Sequence, residues 1–205
     1  MIIIFFGPPG AGKGTQASLI SEKLDIPHIS TGDILRKSFL ETNQISKQLK
    51  QTMDSGNLVS DDSLNQIIED RLSSDDCKKG FILDGYPRTI IQKNFLNQYL
   101  EDHNLYILKI FDLVLDSTDI LERIKSRSSI ENREDDKEKI IKVRIEKYLK
   151  ETKPISSYYS VNFPNDYHVI NSNQEIQNIT KDILEILKKW RFSVLNWCFL
   201  PWLIC

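Results

Sequence analysis

The stretch "IIIFFGPPGAGKGT", residues 2 to 15, decides the fold. Its first five residues are continuously apolar, with β-branched and aromatic side chains, and read as a strand covered on both faces. A glycine-rich loop follows at once, and "KGTQ" then opens a stretch with helical spacing over about 14 to 24. Strand, loop and helix in this order aim several backbone N–H groups and a helix N-terminus at one point, which suits a polyphosphate. Lys13 adds a mobile positive charge near the outer phosphates. A short Gly/Pro turn with a surface lysine would not account for that order. Gly14, however, stands after Lys13, where a phosphate loop usually carries Ser or Thr.

Outward from this stretch, similar apolar runs recur as "HIS" (28–30), "FILD" (81–84), "LYILKIFDL" (105–113) and "YHVI" (167–170). Helical spacing falls between them at about 33–42, 45–55, 61–73, 89–101, 117–127, 136–152 and 175–190, with Ser60, Thr89 and Ser117 as N-caps and Gly56 as a C′ residue. Continuous rather than alternating apolarity with intervening helices predicts an α/β fold around a parallel sheet. Residues 30–59 put two helices where one crossover would do, which marks a subdomain. "RSSIENREDD" (127–136) has no core-forming pattern and reads as an exposed loop or short lid.

With 205 residues the chain has room for one core of ordinary size. A formal net charge of −2, from 27 basic and 29 acidic residues, gives no global field for nucleic acid or an anionic membrane, so any anion site is local. Cys77, Cys198 and Cys205 are too few and scattered for a disulfide framework, which favours a reducing, cytoplasmic setting. "MIIIFF" is too short for a signal-peptide core. The last sixteen residues, "WRFSVLNWCFLPWLIC", differ in composition from the rest. They are shorter than the roughly 20 residues of a spanning helix and are interrupted by Pro201, so a membrane span is a weak reading. A docked tail, an interfacial segment and an accidental extension of the reading frame all remain open.

Asp84 ends the apolar run "FILD" and is followed by Gly85 and a Pro turn in "GFILDGYPRT" (80–89); such an Asp either holds magnesium waters or caps the turn. The chain carries only eight Arg against 19 Lys. Guanidinium binds phosphate bidentately and stays charged, so arginines in a lysine-rich chain are enriched candidates for phosphate contact.

The form G-x-P-G-x-G-K-G-T, read as Gly7, Pro9, Gly10, Gly12, Lys13, Gly14 and Thr15, resembles the nucleoside monophosphate kinases, adenylate kinase above all. "DGYPRT" (84–89) is similar to a second motif of that family, and the resemblance runs from Met1 to about Lys189. It implies a P-loop doubly wound five-stranded parallel sheet with a helical monophosphate-binding insert at 30–59 and a short lid at 123–134. Core segments are then 1–29, 60–122 and 135–189, with 190–205 as a tail outside the resemblance.

The resemblance also implies roles. Gly10, Ala11, Gly12, Lys13, Gly14 and Thr15 bind ATP, with Arg123 and Arg127 at the lid's first hinge. Thr31, Arg36, Val59, Gly85, Arg88, Gln92, Arg133 and Arg144 bind AMP, and Gln92 reads the adenine edge with an amide that both donates and accepts. Arg133 and Arg144 close over the transferring group, making Lys13, Arg88, Arg123, Arg133 and Arg144 the catalytic set. Asp84 holds the Mg2+ of MgATP through water, and Asp135 and Asp136 meet arginines as the lid closes. Five residues between Arg127 and Arg133, with no Cys among them, give the short lid and no structural zinc. The expected reaction is reversible phosphoryl transfer from MgATP to AMP giving two ADP, by a monomer.

His28, His103 and His168 are dispersed and read as structural, and no base is needed because the acceptor phosphate is already anionic. A UMP/CMP kinase on the same frame and a non-catalytic nucleotide-binding module are the rivals. A GTPase switch fares badly, since no N-K-x-D motif occurs.

Overall fold

The computed structural model describes residues 1–38, 51–52, 54–55, 57–116, 120, 123–124 and 138–197. The helices expected at 45–55 and 117–127, the N-cap Ser117, the C′ residue Gly56 and the short lid lie wholly or mostly outside these residues. Five strands form one all-parallel sheet: β1 (Ile2–Phe6), β2 (His28–Ser30), β3 (Phe81–Asp84), β4 (Ile107–Val114) and β5 (Tyr167–Asn171). Their order is β2-β3-β1-β4-β5. All five match the apolar runs; in β1, β3 and most of β4 the alternate residues go to two covered faces, whereas the edge strand β5 leaves Val169 exposed.

That alternation is plain in β1. Ile2, Ile4 and Phe6 join Leu64, Ile68, Leu96 and Tyr159 in one core, while Ile3 and Phe5 join Ala17, Ile20, Ile179 and Ile183 in another. The first core is covered by α3 (Asp61–Leu72), α4 (Ile90–Asp102) and α6 (Lys153–Asn162); the second by α1 (Lys13–Leu24) and α7 (Ile176–Trp197). Each fully buried Ile or Phe contributes on the order of 1.5–3 kcal/mol, and β1 is buried throughout. The central strand is thereby a rigid base for the loop at its end.

The remaining helices are α2 (Thr31–Ser38) and α5 (Glu138–Lys147), with a 3₁₀ turn at Asp75–Lys79. Three local expectations are corrected. Ser60 precedes α3, but its hydroxyl donates to Ser63 Oγ at 2.8 Å and caps no backbone N–H. The helix expected to end at 152 instead passes from α5 through a π-helical turn, Tyr148–Thr152, into α6. Pro154 lies in the first turn of α6, directly after the π-helical turn, which is where the continuing helix accommodates a residue that lacks an N–H. Finally, α7 does not stop at 190 but runs on to Trp197. Thr89 behaves as expected, its hydroxyl oxygen accepting from the Gln92 N–H at 3.2 Å.

Candidate active site

The carboxyl ends of the parallel strands gather the site, as is general for open α/β sheets. Phe5 pairs with Asp84 of β3 and Phe6 with Asp112 of β4, so the loop after β1 emerges between the ends of its two neighbours. Gly12 has φ +86°, a left-handed conformation that lets the chain turn directly into α1, where its carbonyl accepts from the Gln16 N–H at 3.0 Å. Ala11 is buried and its N–H donates to Pro8 O at 3.2 Å. Lys13 reaches back across the loop, its Nζ donating to Gly7 O at 2.7 Å and Pro8 O at 2.9 Å. The ammonium is thus held over the hollow that the loop encloses.

Asp84 faces this loop. A β-carbon built on Gly14 would stand 3.3 Å from Asp84 Oδ2, and His28 Nε2 lies 3.4 Å from the same oxygen. Burial alone would raise the Asp84 carboxyl, but the neighbouring His28 and the charges of Lys13 and Arg88 hold it below the ordinary carboxylate range. An ionised carboxylate opposite a residue without a side chain fits a hydrated divalent cation arriving with a nucleotide. His28, set aside on sequence grounds, therefore belongs to the surroundings of the site.

A second group of residues lies across the cleft. Gly85 has φ +77°, and its carbonyl accepts from Arg88 Nε at 2.7 Å and from the Thr31 hydroxyl at 3.0 Å. Thr31 is buried in the first turn of α2, where Ser30 Oγ, not Thr31, accepts from the Asp33 N–H at 3.3 Å. Arg36 pairs with Asp33 one turn earlier. Gln92 is fully buried, its amide shared between Asp61 and the Arg88 backbone. Arg123 donates to Ser172 O just past the end of β5, which ties Arg123 to the loop before α7.

These residues line one cleft of about 1150 Å³, larger than the roughly 300–1,000 Å³ of a site for one small ligand. Gly10, Gly12, Lys13, Gly14 and Thr15 form one side, and Thr31, Arg36, Val59, Asp84 and Arg88 the other. Arg123 and Arg144 line it too, while Ala11, Gly85 and Gln92 are not among its lining residues. Among the described residues Lys13, Arg36, Arg88, Arg123 and Arg144 face only Asp33, Asp84 and Glu175, an excess of positive charge in a chain whose formal net charge is −2. Gln174 to Gln177 also line the cleft; sequence reasoning missed them because a polar loop before a helix carries no distinguishing pattern. Arg127, Arg133, Asp135 and Asp136 lie outside the described residues.

A phosphate loop facing arginines across one cleft, on a doubly wound parallel sheet, defines a P-loop nucleotide-binding α/β protein. The adenylate kinase family model matches residues 5–163, and the chain belongs to that family. Over 193 residues, 91% of this chain and 98% of each relative, it is 39% identical to the adenylate kinase of Brucella melitensis biotype 1 and 40% identical to those of Brucella ovis and Brucella suis biovar 1. The chain is accordingly a phosphotransferase of the kinase class. Among the described residues no helix is long and apolar enough to cross a membrane.

Proposed function

We propose that the protein transfers the terminal phosphoryl group of MgATP reversibly to AMP, giving two ADP. The observation that carries this reading is the single cleft lined by the phosphate loop and Lys13 together with Arg36, Arg88, Arg123 and Arg144. A polyphosphate-binding half and a monophosphate-binding half with guanidinium groups in a common lining suit a donor and an acceptor held end to end. The comparisons favour this over a pyrimidine monophosphate kinase or a binding module that has lost turnover.

In this reading Lys13 and the backbone N–H groups of the loop bind the ATP phosphates, and Arg36 and Arg88 hold the AMP phosphate. Arg123 and Arg144, with Arg127 and Arg133, stabilise charge as it spreads over the transferring group. Thr31, Val59 and Gln92 surround the acceptor base. The acceptor phosphate attacks as an anion, so the chain supplies position and charge rather than a base. The Mg2+ that accompanies ATP neutralises phosphate charge, and Asp84 would hold it through water. Closure of 30–59 and of the lid at 123–134, aided by Asp135 and Asp136, would exclude water as a competing acceptor. We take the protein to be a cytoplasmic monomer without structural zinc, whose kinase domain ends near Lys189.

The division of the cleft is tested by titration calorimetry. Lys13→Met should weaken ATP binding and spare AMP, and Arg88→Gln should do the reverse. Loss of the same ligand in both variants would contradict the assignment of the two halves.

A further inference from the structure

Gln92 lies in the first turn of α4, in contact with the backbone of the cleft residue Arg88, and is 0% exposed. Its amide nitrogen donates to Asp61 Oδ1 at 2.7 Å, and its amide oxygen accepts from the Arg88 backbone N–H at 2.7 Å. Asp61 opens α3, and the same Oδ1 accepts from the Thr89 hydroxyl at 2.9 Å. An acid in the first turn of a helix is favourable for its dipole, but Asp62 fills that role beside it. The Asp61 carboxylate is directed instead at a different helix.

A carboxylate only accepts hydrogen bonds, and a backbone N–H only donates. The two partners therefore decide which end of the Gln92 amide is oxygen. They use one of its two N–H groups and one of its two lone pairs, leaving one donor and one acceptor in a fixed order. Adenine presents an amine donor beside a ring-nitrogen acceptor. Hypoxanthine and guanine reverse the two, with a carbonyl acceptor beside an N–H donor. An amide free to rotate half a turn would satisfy either edge; one held as Gln92 is held satisfies the adenine order alone.

We infer that Asp61 is a positioning residue for base choice: by gripping the Gln92 amide nitrogen it makes the acceptor site reject 6-keto purine monophosphates. The inference rests on the reading of Gln92 as the residue that meets the acceptor base. Cytosine shares the adenine order, so this device separates amino from keto bases and leaves ring size to other contacts.

The test compares kcat/KM for AMP and IMP at fixed MgATP, because the two acceptors differ only along the edge in question. In Asp61→Ala the AMP:IMP ratio should fall by about tenfold or more, through the acceptor KM, with the KM for ATP unchanged. Asp61→Asn, which keeps the side-chain volume and whose amide either accepts or donates, should show a smaller fall in the same direction. If Asp61→Ala does not fold, Asp61→Asn alone carries the test. Gln92→Ala separates the two levels of the argument. A ratio lowered by Gln92→Ala but unmoved by the Asp61 substitutions overturns the role of Asp61. A ratio unmoved by Gln92→Ala overturns the reading of Gln92 and this inference with it.

Discussion

Asp84 and Gly14 are so close that a β-carbon on residue 14 would lie 3.3 Å from the Asp84 Oδ2. That spacing accounts for the residue after Lys13: a Ser or Thr there would crowd the carboxylate, and a metal held through water needs the space. Alanine at this position gains helix propensity on the order of 0.5–1 kcal/mol, since Gly14 lies in the first turn of α1. Gly14→Ala should therefore change Tm little, the propensity gain being offset by the close approach to the buried Asp84 carboxylate, while lowering MgATP turnover by about tenfold. Calorimetry and steady-state kinetics check the two halves; unchanged turnover would mean that the space between Gly14 and Asp84 has no catalytic use.

Lys13 is held by two backbone carbonyls, those of Gly7 and Pro8, within its own loop. Both are neutral acceptors that water can also serve, so their loss is a small matter for the fold. Lys13→Met should lower kcat by about a hundredfold or more and Tm by no more than about 2–4 °C. A large Tm loss with proportionate loss of activity would assign Lys13 to structure instead.

The buried Asp112 makes a separate prediction, because one of its oxygens accepts from Lys153 at 2.9 Å, Ser156 at 2.9 Å and the Tyr167 hydroxyl at 2.6 Å. This cluster pins α6 to β4 and β5 and stands outside the cleft lining. Burial, with the adjoining carboxylate, pushes the Tyr167 phenol far above its ordinary value, so it remains a donor. Tyr167→Phe should lower stability by about 1–2 kcal/mol, read as a Tm fall of about 3–6 °C, and leave kcat within about twofold. A drop in kcat at unchanged Tm would place the cluster in the active site.

Cys77 is buried against Arg71 and Asp76, and burial pushes its thiol up to about 11. The fold therefore favours the protonated thiol. The unfolded chain releases that proton first, near about 8.5, so this group's contribution to stability is full below that pH and is lost as pH rises toward about 11. At pH 8 the thiolate population is on the order of one in a thousand. Labelling of the Cys77 peptide by iodoacetamide, followed by mass spectrometry, should be slow at pH 8 and accelerate between pH 9 and 11. Rapid labelling of the folded protein at pH 8 would contradict it.

The sheet was legible because buried parallel strands leave continuous apolar runs, and the phosphate loop because its glycines and lysine fall between the first run and a helix. What escaped the sequence was set by tertiary contact. The helix expected over 136–152 instead runs from α5 through a π-helical turn into α6, with Pro154 in the first turn of α6. Asp61 reads as an ordinary acid at a helix start, and only the approach of α3 to α4 shows its carboxylate meeting Thr89 and Gln92. His28 became informative once β2 and β3 placed it beside Asp84. Gln174 to Gln177 carry no charge pattern, and their place in the cleft follows from the position of β5 at the sheet edge.

The most direct test of the central claim is a product assay in which the purified protein, MgATP and one nucleoside monophosphate at a time are resolved by ion-exchange chromatography. A cleft that joins an ATP half to an AMP half should consume one ATP and one AMP for every two ADP formed, and run backwards from MgADP and ADP. AMP should exceed CMP and UMP by at least about a hundredfold in kcat/KM, since a site built around specific hydrogen bonds rejects a base that leaves them unpaired. Absence of product from every monophosphate, with ATP still bound, would contradict phosphoryl transfer; equal use of CMP or UMP would contradict the adenine acceptor site.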